Sequence, residues 1–302
     1  MAKLIIHETS LAGKTVIITG GNSGLGWEFA RQSLILNASR VIITTRSKDK
    51  GIAAIEALRA DPIVQSSNAT GKLELFDLDL DDYQSGIHFT QSVKQEVAEL
   101  DILLCNGGTN QFRYELSKSG HERIMQVNSY THFLIVLCLL PLLKATAAKR
   151  DSPSRVTFLS SFSHTQHTLE KNTIGEDESI LAYHDSKENF HGRRQYQNSK
   201  LAINAFAQRL ATTISPSEVI VNTPILYLYF KVKGRDPFVG GQILINAVVS
   251  GKESHGKYLE LDKISRGALF LTRSAGKNYI ERLWNEILEE SIKANPEVKG
   301  IS

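Results

Sequence analysis

The sequence predicts a three-layer α/β fold, in which a doubly wound parallel sheet is covered by helices on both faces. Strand and helix patterns alternate along the chain, an order typical of parallel sheets. The 302 residues are 41% hydrophobic, enough for one large core, and no linker rich in proline or glycine divides them. We therefore predict a single domain over residues 1–302, with an extended surface insertion at 162–195 and a C-terminal tail at 286–302.

A glycine-rich turn follows the first predicted strand. The segment Lys14–Gly20 is short and rich in β-branched residues, and it runs into Gly21-Asn22-Ser23-Gly24-Leu25-Gly26 and a predicted helix at Leu25–Leu36. Glycines let the backbone approach a pyrophosphate, whose charge is met by free N–H groups at the start of the helix. The order of strand, turn and helix predicts a Rossmann-type dinucleotide site.

Tyr196 and Lys200 are four residues apart in a predicted helix and project from the same face. An ammonium one turn away favours the phenolate, so we expect the pKa of Tyr196 to be lowered from its usual value of ~10. Such a phenol can exchange a proton with a carbonyl or carbinol oxygen. The pair also occurs on ordinary helix surfaces, so its weight comes from the glycine-rich turn in the same chain.

Taken with the spacing Thr19-Gly20-x-x-x-Gly24-x-Gly26, these motifs resemble the short-chain dehydrogenase/reductase family. The likeness is strongest to its retinol-dehydrogenase-like members and to fungal biosynthetic reductases. Further family motifs follow in order at Asp79-Leu80, Asp101–Gly108, Val127-Asn128 and Arg155–Ser161. The resemblance implies the Rossmann-type fold and an oxidoreductase activity.

The resemblance also implies catalytic roles. Tyr196 would give its proton to a substrate carbonyl while hydride passes from the nicotinamide, and Lys200 would lower the tyrosine pKa and bind the nicotinamide ribose. Ser161 would hydrogen-bond the same substrate oxygen, with Ser160 as the fallback. Asn128 would hold a water that links Lys200 to solvent. The ordinary alternatives are a strand-end serine that caps a turn and a helical asparagine that faces a neighbour.

Cofactor choice depends on the end of the second predicted strand, Val41–Arg46. An acidic residue there would bind the adenosine ribose and favour NAD. In this chain Thr45 is neutral, and Arg46 can bind a 2′-phosphate through two charge-assisted hydrogen bonds. We therefore expect NADP rather than NAD, with Lys50 as a second candidate contact. A solvated strand-end arginine is the alternative for Arg46.

Other cofactor contacts are implied by the resemblance. Asp79 would accept from the adenine amine with Leu80 packed beside it, and Asn106 would lie by the adenosine ribose. The family's usual Asn-Asn-Ala-Gly is replaced by Cys105-Asn106-Gly107-Gly108, so we expect a less rigid end to the fourth strand. The predicted cofactor-binding residues are Gly20, Asn22, Ser23, Gly24, Leu25, Gly26, Arg46, Asp79, Leu80, Asn106, Gly107, Tyr196 and Lys200.

Two segments depart from the family pattern. The first is the insertion of 34 residues between Ser161 and Tyr196, which we place beside the substrate mouth. The second follows the predicted sixth strand, Glu218–Thr223, because the helical pattern Asp236–Val249 begins before a full substrate lid fits. A deletion, a faulty gene model or drift toward inactivity would each explain a shortened lid, which would exclude water less well.

The insertion carries four histidines whose spacings match no standard zinc-ligand set. We therefore expect solvated loop histidines and no metal. The four are His164, His167, His184 and His191.

Charge and apolar patterning bear on partners and location. The net charge of +3 is dispersed, which argues against nucleic-acid binding. Cys105 and Cys138 lie in apolar surroundings and the start of the chain does not resemble a secretory signal, so we predict a cytoplasmic protein.

The apolar run Phe133–Leu143 is too short to span a bilayer. It and Leu201–Leu210 correspond to faces through which relatives dimerise, so a homodimer is expected by analogy.

The leading interpretation is an NADP-dependent carbonyl reductase, or an alcohol dehydrogenase, that acts on a lipophilic small molecule. The look of the C-terminal third suggests secondary-metabolite biosynthesis, with a polyketide or terpenoid substrate. The alternative is a dinucleotide-binding protein with a truncated lid and no turnover, which would serve as a scaffold or sensor.

Overall fold

The computed structural model describes residues 9–226, 237–261 and 263–300. These residues form one sheet of nine strands. The strands are β1 (Thr15–Ile18), β2 (Arg40–Thr45), β3 (Lys72–Asp77), β4 (Ile102–Cys105), β5 (Ser154–Phe158), β6 (Ser160–Ser161), β7 (Val219–Leu226), β8 (Lys257–Glu260) and β9 (Lys263–Ser265).

The strand order is β3-β2-β1-β4-β5-β7-β8-β9, and the short strand β6 also pairs with β7. All these pairs are parallel except β8 with β9, which form an antiparallel edge. The strand order reverses between β1 and β4, which opens a crevice at the carboxyl ends of these strands, where ligands bind in open α/β sheets. The predicted doubly wound sheet is therefore confirmed, with an antiparallel strand added at one edge.

Helices cover both faces of the sheet, and a π-helical turn at Gln126–Tyr130 joins two of them. Short 3₁₀ turns lie at Phe162–Gln166, Lys252–Ser254, Leu269–Thr272 and Pro296–Gly300. The helices are α1 (Gly24–Ile35), α2 (Lys48–Ala60), α3 (Pro62–Asn68), α4 (Tyr83–Glu96), α5 (Arg123–Met125), α6 (Thr131–Arg150), α7 (Ile180–Asp185), α8 (Gly192–Thr213), α9 (Pro237–Val249) and α10 (Ser274–Ala294).

Two apolar clusters lie on opposite sides of the sheet. Successive strand residues point to opposite faces, so Val16 and Ile18 join the cluster with α1, α2, α3 and α9, whereas Ile17 joins the one with α4, α6, α8 and α10. This alternation within one short strand produces the three predicted layers.

The most apolar helix of the fold is part of its core. The helical stretch Arg123–Arg150 is long and apolar enough to cross a bilayer, but 72% of its most apolar window is buried in the protein. Within it Phe133 stacks on Phe206 of α8, with ring centroids 4.0 Å apart, and packs edge-on against Phe158 of β5. Packing against the sheet and α8 therefore accounts for the apolar character of this helix.

Helix α10 covers a face at which the sequence analysis placed a dimer contact. The ring of Trp284 lies 5.3 Å from that of Phe206, and the guanidinium of Arg209 lies 5.3 Å from the same indole. The part of residues 201–210 that holds Phe206 and Arg209 is therefore covered by α10 of the same chain. Residues 286–294, which we expected to begin a tail, are the last turns of α10.

The insertion at 162–195 is anchored to α10. Its residues Leu169 and Ile180 are buried in the core. The carboxylate of Glu286 accepts from the backbone N–H groups of Ile180 at 2.9 Å and Leu181 at 3.0 Å, and so caps α7. The insertion therefore contributes to the core as well as to the surface.

Candidate functional site

The glycine-rich turn between β1 and α1 has the shape that the sequence predicts. Gly20 and Gly24 have φ angles of +65° and +58°, in the left-handed region that glycine adopts without strain. A Cβ placed on Gly26 would lie 2.5 Å from the carbonyl oxygen of Gly20. The turn therefore depends on glycine at these positions.

The start of α1 fits a pyrophosphate. Ser23 is the N-cap residue but makes no side-chain capping bond, so the first N–H groups of the helix have no side-chain acceptor there. Ser23 and Gly24 are exposed, and a Cβ placed on Gly24 would meet no atom of the described residues within 4 Å. Uncapped N–H groups beside open space suit an anionic group. Asn22 and Leu25, also predicted to bind the cofactor, are half-buried in the same turn.

The end of β4 supports this turn. The side-chain amide of Asn106 donates to the carbonyl oxygens of Thr19 at 2.9 Å and Gly20 at 3.1 Å. A Cβ placed on Gly107 would lie 2.4 Å from Leu80, so these two predicted cofactor residues are in close contact. Asn106 therefore fixes the glycine-rich turn, a role that the sequence analysis did not assign to it.

At the expected adenosine end, Asp79 forms an ion pair with Lys118, with Oδ2 and Nζ 2.7 Å apart. Burial would raise the pKa of Asp79, but the hydrogen bond from Lys118 and the charge of Arg46 hold it below its usual value. Arg46 is exposed directly after β2, and Lys50 is exposed in α2. Lys118 is therefore a candidate cofactor contact that the sequence analysis missed.

Three of the four predicted catalytic residues lie at the carboxyl end of the sheet, on β6 and α8. Ser161 ends β6 close enough to Tyr196 of α8 to affect its pKa. In this structure its Oγ accepts from the N–H of Ser163 and donates to Ser163 Oγ, both at 3.2 Å, so it also caps the turn that follows, as the ordinary alternative had it. Lys200 lies one turn further along α8, with Nζ 5.7 Å from the centroid of the Tyr196 ring. Ser160 points to the opposite face of the strand, and its Oγ is buried with no hydrogen-bond partner among the residues that the structure describes. Ser161 is therefore the better candidate of the two serines.

The expected lowering of the tyrosine pKa is wrong for this structure. Burial raises the pKa of Tyr196, and the nearby hydroxyl of Ser161 only partly opposes this effect. Lys200 is itself buried, which lowers its pKa to about 8, and it donates to the carbonyl oxygen of Leu159 at 2.9 Å. Sequence spacing showed that the two residues share a helix face, but it did not show that both side chains are desolvated.

Asn128 lies in the π-helical turn before α6, a kind of turn that often occurs at functional sites. Its Oδ1 accepts from the N–H of Thr109 at 2.7 Å, and its Nδ2 donates to the Thr109 carbonyl at 3.1 Å. Nδ2 also donates to Ser199 Oγ at 3.0 Å, beside Lys200. The side chain of Asn128 therefore fixes the loop after β4 against α8.

Two buried histidines contradict the prediction of solvated loop histidines. His164 is buried, and its Nδ1 donates to the carbonyl oxygen of Ser161 at 2.6 Å. Burial lowers the pKa of both His164 and His184 to about 4, so these rings are neutral at pH 7. His191 is exposed, as expected. Within the described ranges there is no group of three or more His, Cys, Asp or Glu side chains that could hold a metal ion.

The predicted lid shortening falls on a segment that lies outside the described residues, because these stop at 226 and resume at 237. Thr223 lies within β7 and pairs with Tyr258 of β8. Helix α9 then packs on α1, where the backbone carbonyl of Phe238 accepts from Gln32 at 2.8 Å.

A glycine-rich turn at the switch point of a parallel sheet, together with a serine, tyrosine and lysine at the same edge, defines a dinucleotide-binding oxidoreductase. Comparison with known proteins agrees, since the family model of short chain dehydrogenases matches residues 14–170. The chain belongs to the short-chain dehydrogenase family.

Relatives and solved structures extend this likeness over most of the chain. Short chain dehydrogenase sor7 of Hypocrea jecorina (strain QM6a) is 46% identical over 278 residues, covering 85% of this chain and 77% of that protein. Short chain dehydrogenase macD of Penicillium terrestre is 36% identical over 301 residues, covering 93% and 91%.

Among solved structures, an uncharacterized protein from Mycobacterium paratuberculosis has a TM-score of 0.68 at 24% identity, covering 92% of this chain and 94% of that one. The Pseudomonas aeruginosa RhlG/NADP active-site complex has a TM-score of 0.54 at 25% identity, covering 72% and 73%.

Proposed function

We propose that this chain is an NADP-dependent carbonyl reductase, or an alcohol dehydrogenase in the reverse direction, for a lipophilic small molecule. The observation that carries the proposal is the grouping of Ser161, Tyr196 and Lys200 at the edge of the sheet that also holds the glycine-rich turn. The alternative, a dinucleotide-binding scaffold or sensor, does not require this grouping.

The side chains divide the proton chemistry between them, and the bound nicotinamide would supply or accept the hydride. The raised pKa of Tyr196 keeps its hydroxyl protonated at neutral pH, which is the state needed to give a proton to a carbonyl oxygen. Ser161 would donate to the same oxygen and stabilise the negative charge that develops there. With a pKa of about 8, Lys200 is mostly protonated at pH 7 and is able to return the proton.

Exposed aromatic side chains support a lipophilic substrate. Phe162 follows Ser161 directly and is 38% exposed, and Phe112 is 78% exposed. The loop that carries Phe112 touches the start of α8, because a Cβ placed on Gly192 would lie 2.7 Å from the Phe112 Cα. Aromatic rings near the Tyr196 helix suit an apolar ketone or aldehyde, and polyketide and terpenoid carbonyl compounds of secondary metabolism belong to that class. Cys105 and Cys138 are buried free thiols, which supports a reducing compartment such as the cytoplasm.

A preference for NADP is supported by Arg46, which is exposed beside the neutral and buried Thr45. An exposed guanidinium can bind a 2′-phosphate, and Thr45 places no acidic side chain at the end of β2 itself. The RhlG complex, at 25% identity, holds NADP. A more distant neighbour at 14% identity, an NADH-dependent reductase, holds NAD, so the fold itself leaves the choice open.

An Arg46→Ala variant is expected to raise the Kd for NADPH by about 10- to 100-fold, the loss of one or two charge-assisted hydrogen bonds. The Kd for NADH should change less than about twofold, because NADH lacks the 2′-phosphate. Fluorescence titration of both cofactors measures the two constants. The exposed Lys187 lies in the insertion, and a Lys187→Ala variant controls for the change in net charge. Equal losses for NADPH and NADH would contradict the assigned role of Arg46.

The whole proposal is tested by titrating NADPH and NADH into the purified protein and then adding a panel of lipophilic ketones and aldehydes. We expect tighter binding of NADPH and its consumption with at least one panel member. Tight binding with no consumption by any of them would favour the scaffold or sensor. Failure to bind either cofactor would contradict both functions.

A further inference from the structure

His132 lies near the start of α6, is 1% exposed, and has no place in the proton chemistry described above. Each of its ring nitrogens has a polar partner. Nε2 is 2.8 Å from Oγ1 of Thr19, the residue before the glycine-rich turn. Nδ1 is 3.1 Å from the backbone carbonyl oxygen of Asn128. The ring therefore spans the space between the cofactor turn and the asparagine of the catalytic set.

The partners of Thr19 determine which nitrogen of His132 carries the proton. Oγ1 of Thr19 accepts from the backbone N–H groups of Asn106 at 2.8 Å and Gly107 at 3.0 Å, and these fill both of its lone pairs. Its single proton is therefore directed at His132 Nε2, which is much closer than the alternative acceptor, the Leu104 carbonyl, at 3.4 Å. Nε2 is then an acceptor, and the ring proton is on Nδ1, where it is donated to Asn128.

A second proton on His132 would disturb this arrangement. Protonated Nε2 would face the hydroxyl proton of Thr19, whose lone pairs are already occupied. Burial, with a smaller contribution from the charge of Lys200, lowers the pKa of His132 to about 4, although the bond to the Asn128 carbonyl opposes the shift. The ring is therefore neutral over the pH range in which the chain would work.

We propose that His132, in its Nδ1–H form, is a positioning residue that couples the cofactor turn to Asn128. One directed chain of hydrogen bonds runs from the amides after β4 through Thr19 and His132 to the Asn128 carbonyl. The Asn128 side chain continues it to Ser199, next to Lys200. Through this chain, the position of the turn constrains the position of the residues that hold the proton-transfer groups. The effect of His132 on turnover rests on the proposed reductase function, whereas the chain of hydrogen bonds does not depend on that function.

The tautomer of His132 is measured without any activity, by nitrogen-15 NMR of the histidine side chains in the full chain. His132→Gln identifies the signals of this ring by their loss. We expect a neutral ring protonated on Nδ1 at pH 7, with no titration between pH 8 and about pH 5 because the pKa is about 4. Protonation on Nε2, or titration near the ordinary value of ~6.5, would overturn the proposal.

Coupling is measured by a double-mutant cycle of Thr19→Val and His132→Phe, read as the Kd for NADPH. Both changes break the bond between Thr19 and His132, and Thr19→Val also removes the acceptor of the two amides after β4. We therefore expect His132→Phe to raise the Kd by about 3-fold and Thr19→Val by about 10-fold. Because both residues act through one chain, the double variant should be no weaker than the worse single variant. His184→Phe, which replaces an equally buried histidine in α7, is the matched control and should leave the Kd unchanged. Additive losses, or a His132→Phe variant that behaves like this control, would overturn the coupling.

The kinetic constants kcat and KM provide a final test, because a purely structural role of His132 would not change them selectively. With a substrate that the parent reduces, His132→Phe should lower kcat by about tenfold and leave the KM for that substrate unchanged, because Asn128 and Lys200 are displaced while the substrate mouth is not. An increase in KM at constant kcat would contradict positioning. If the parent binds NADPH but reduces nothing, the reductase proposal fails, and the tautomer and the cycle still decide the role of His132.

Discussion

A Tyr196→Phe variant is expected to bind NADPH as tightly as the parent and to reduce a carbonyl substrate about 10²- to 10⁴-fold more slowly, the range typical of losing a general acid. The change removes only the phenol hydroxyl, and the phenyl ring still fills the space beside Lys200. NADPH titration gives the affinity, and the loss of NADPH absorbance on adding substrate gives the rate. An unchanged Kd with a collapsed rate would show that the phenol acts in the chemical step.

A matched control for this prediction is Tyr183→Phe. Tyr183 is also half-buried, but it lies in α7 and packs edge-on against His184, 5.3 Å between ring centroids. We expect its rate to stay within about twofold of the parent, as for substitutions away from the reacting atoms. A Tyr196→Phe variant as fast as this control would refute the proton-donor role, even with NADPH binding intact.

Local rules explain why the sheet and the glycine-rich turn could be predicted from the sequence. The β-branched run before Gly20 has no helical periodicity, and glycines at 20 and 24 adopt positive φ angles that other residues avoid. Strand, turn and helix are neighbours in the chain, so short-range preferences decide their form. The helix predicted at Leu25–Leu36 differs from α1 by one residue at each end.

Burial was harder to predict, because it depends on segments that are distant in sequence. His164 and His184 stand among polar residues, yet the insertion that carries them is held against α10 by Glu286, about 100 residues away, a separation at which no local pattern operates. The polar residues around these histidines therefore predicted exposure to solvent, whereas the fold buries both side chains. The raised pKa of Tyr196 has the same origin, since desolvation is a property of the packed structure.

Partners of single polar side chains were also hidden from the sequence. The Asp79–Lys118 pair joins residues 39 positions apart. His132 gave one usable signal, its position four residues after Asn128, which places the two on one helix face. Nothing local predicted that Thr19 would complete the link, because their contact spans 113 positions.

The second large effect is expected for Lys200→Met, which should remove turnover and stabilise the fold. Lys200 is only 5% exposed, and burial lowers its pKa from 10.5 to about 8. The unfolded chain therefore holds this proton more tightly than the folded chain, which costs about 3 kcal/mol of stability below pH 8. Methionine fills similar volume without charge, so after loss of the bond to Leu159 the free energy of unfolding at pH 7 should rise by about 2 kcal/mol.

The gain in stability expected for Lys200→Met depends on pH. Stability of the parent increases from pH 8 toward 10.5, because only the unfolded chain still binds the proton over that window. The advantage of Lys200→Met should therefore shrink across the same window and approach zero or reverse near its upper end. Denaturant unfolding at pH 7 and pH 10 measures it, with Lys187→Met as the exposed control that should change neither value. A gain of equal size at both pH values would mean that the buried charge is not its source. A loss of stability at pH 7 would mean that the hydrogen bond from the Lys200 ammonium to Leu159 contributes more free energy than burial of the charge costs. The pKa of Lys200 would then be higher than about 8, and its proposed role of returning the proton would have to be revised.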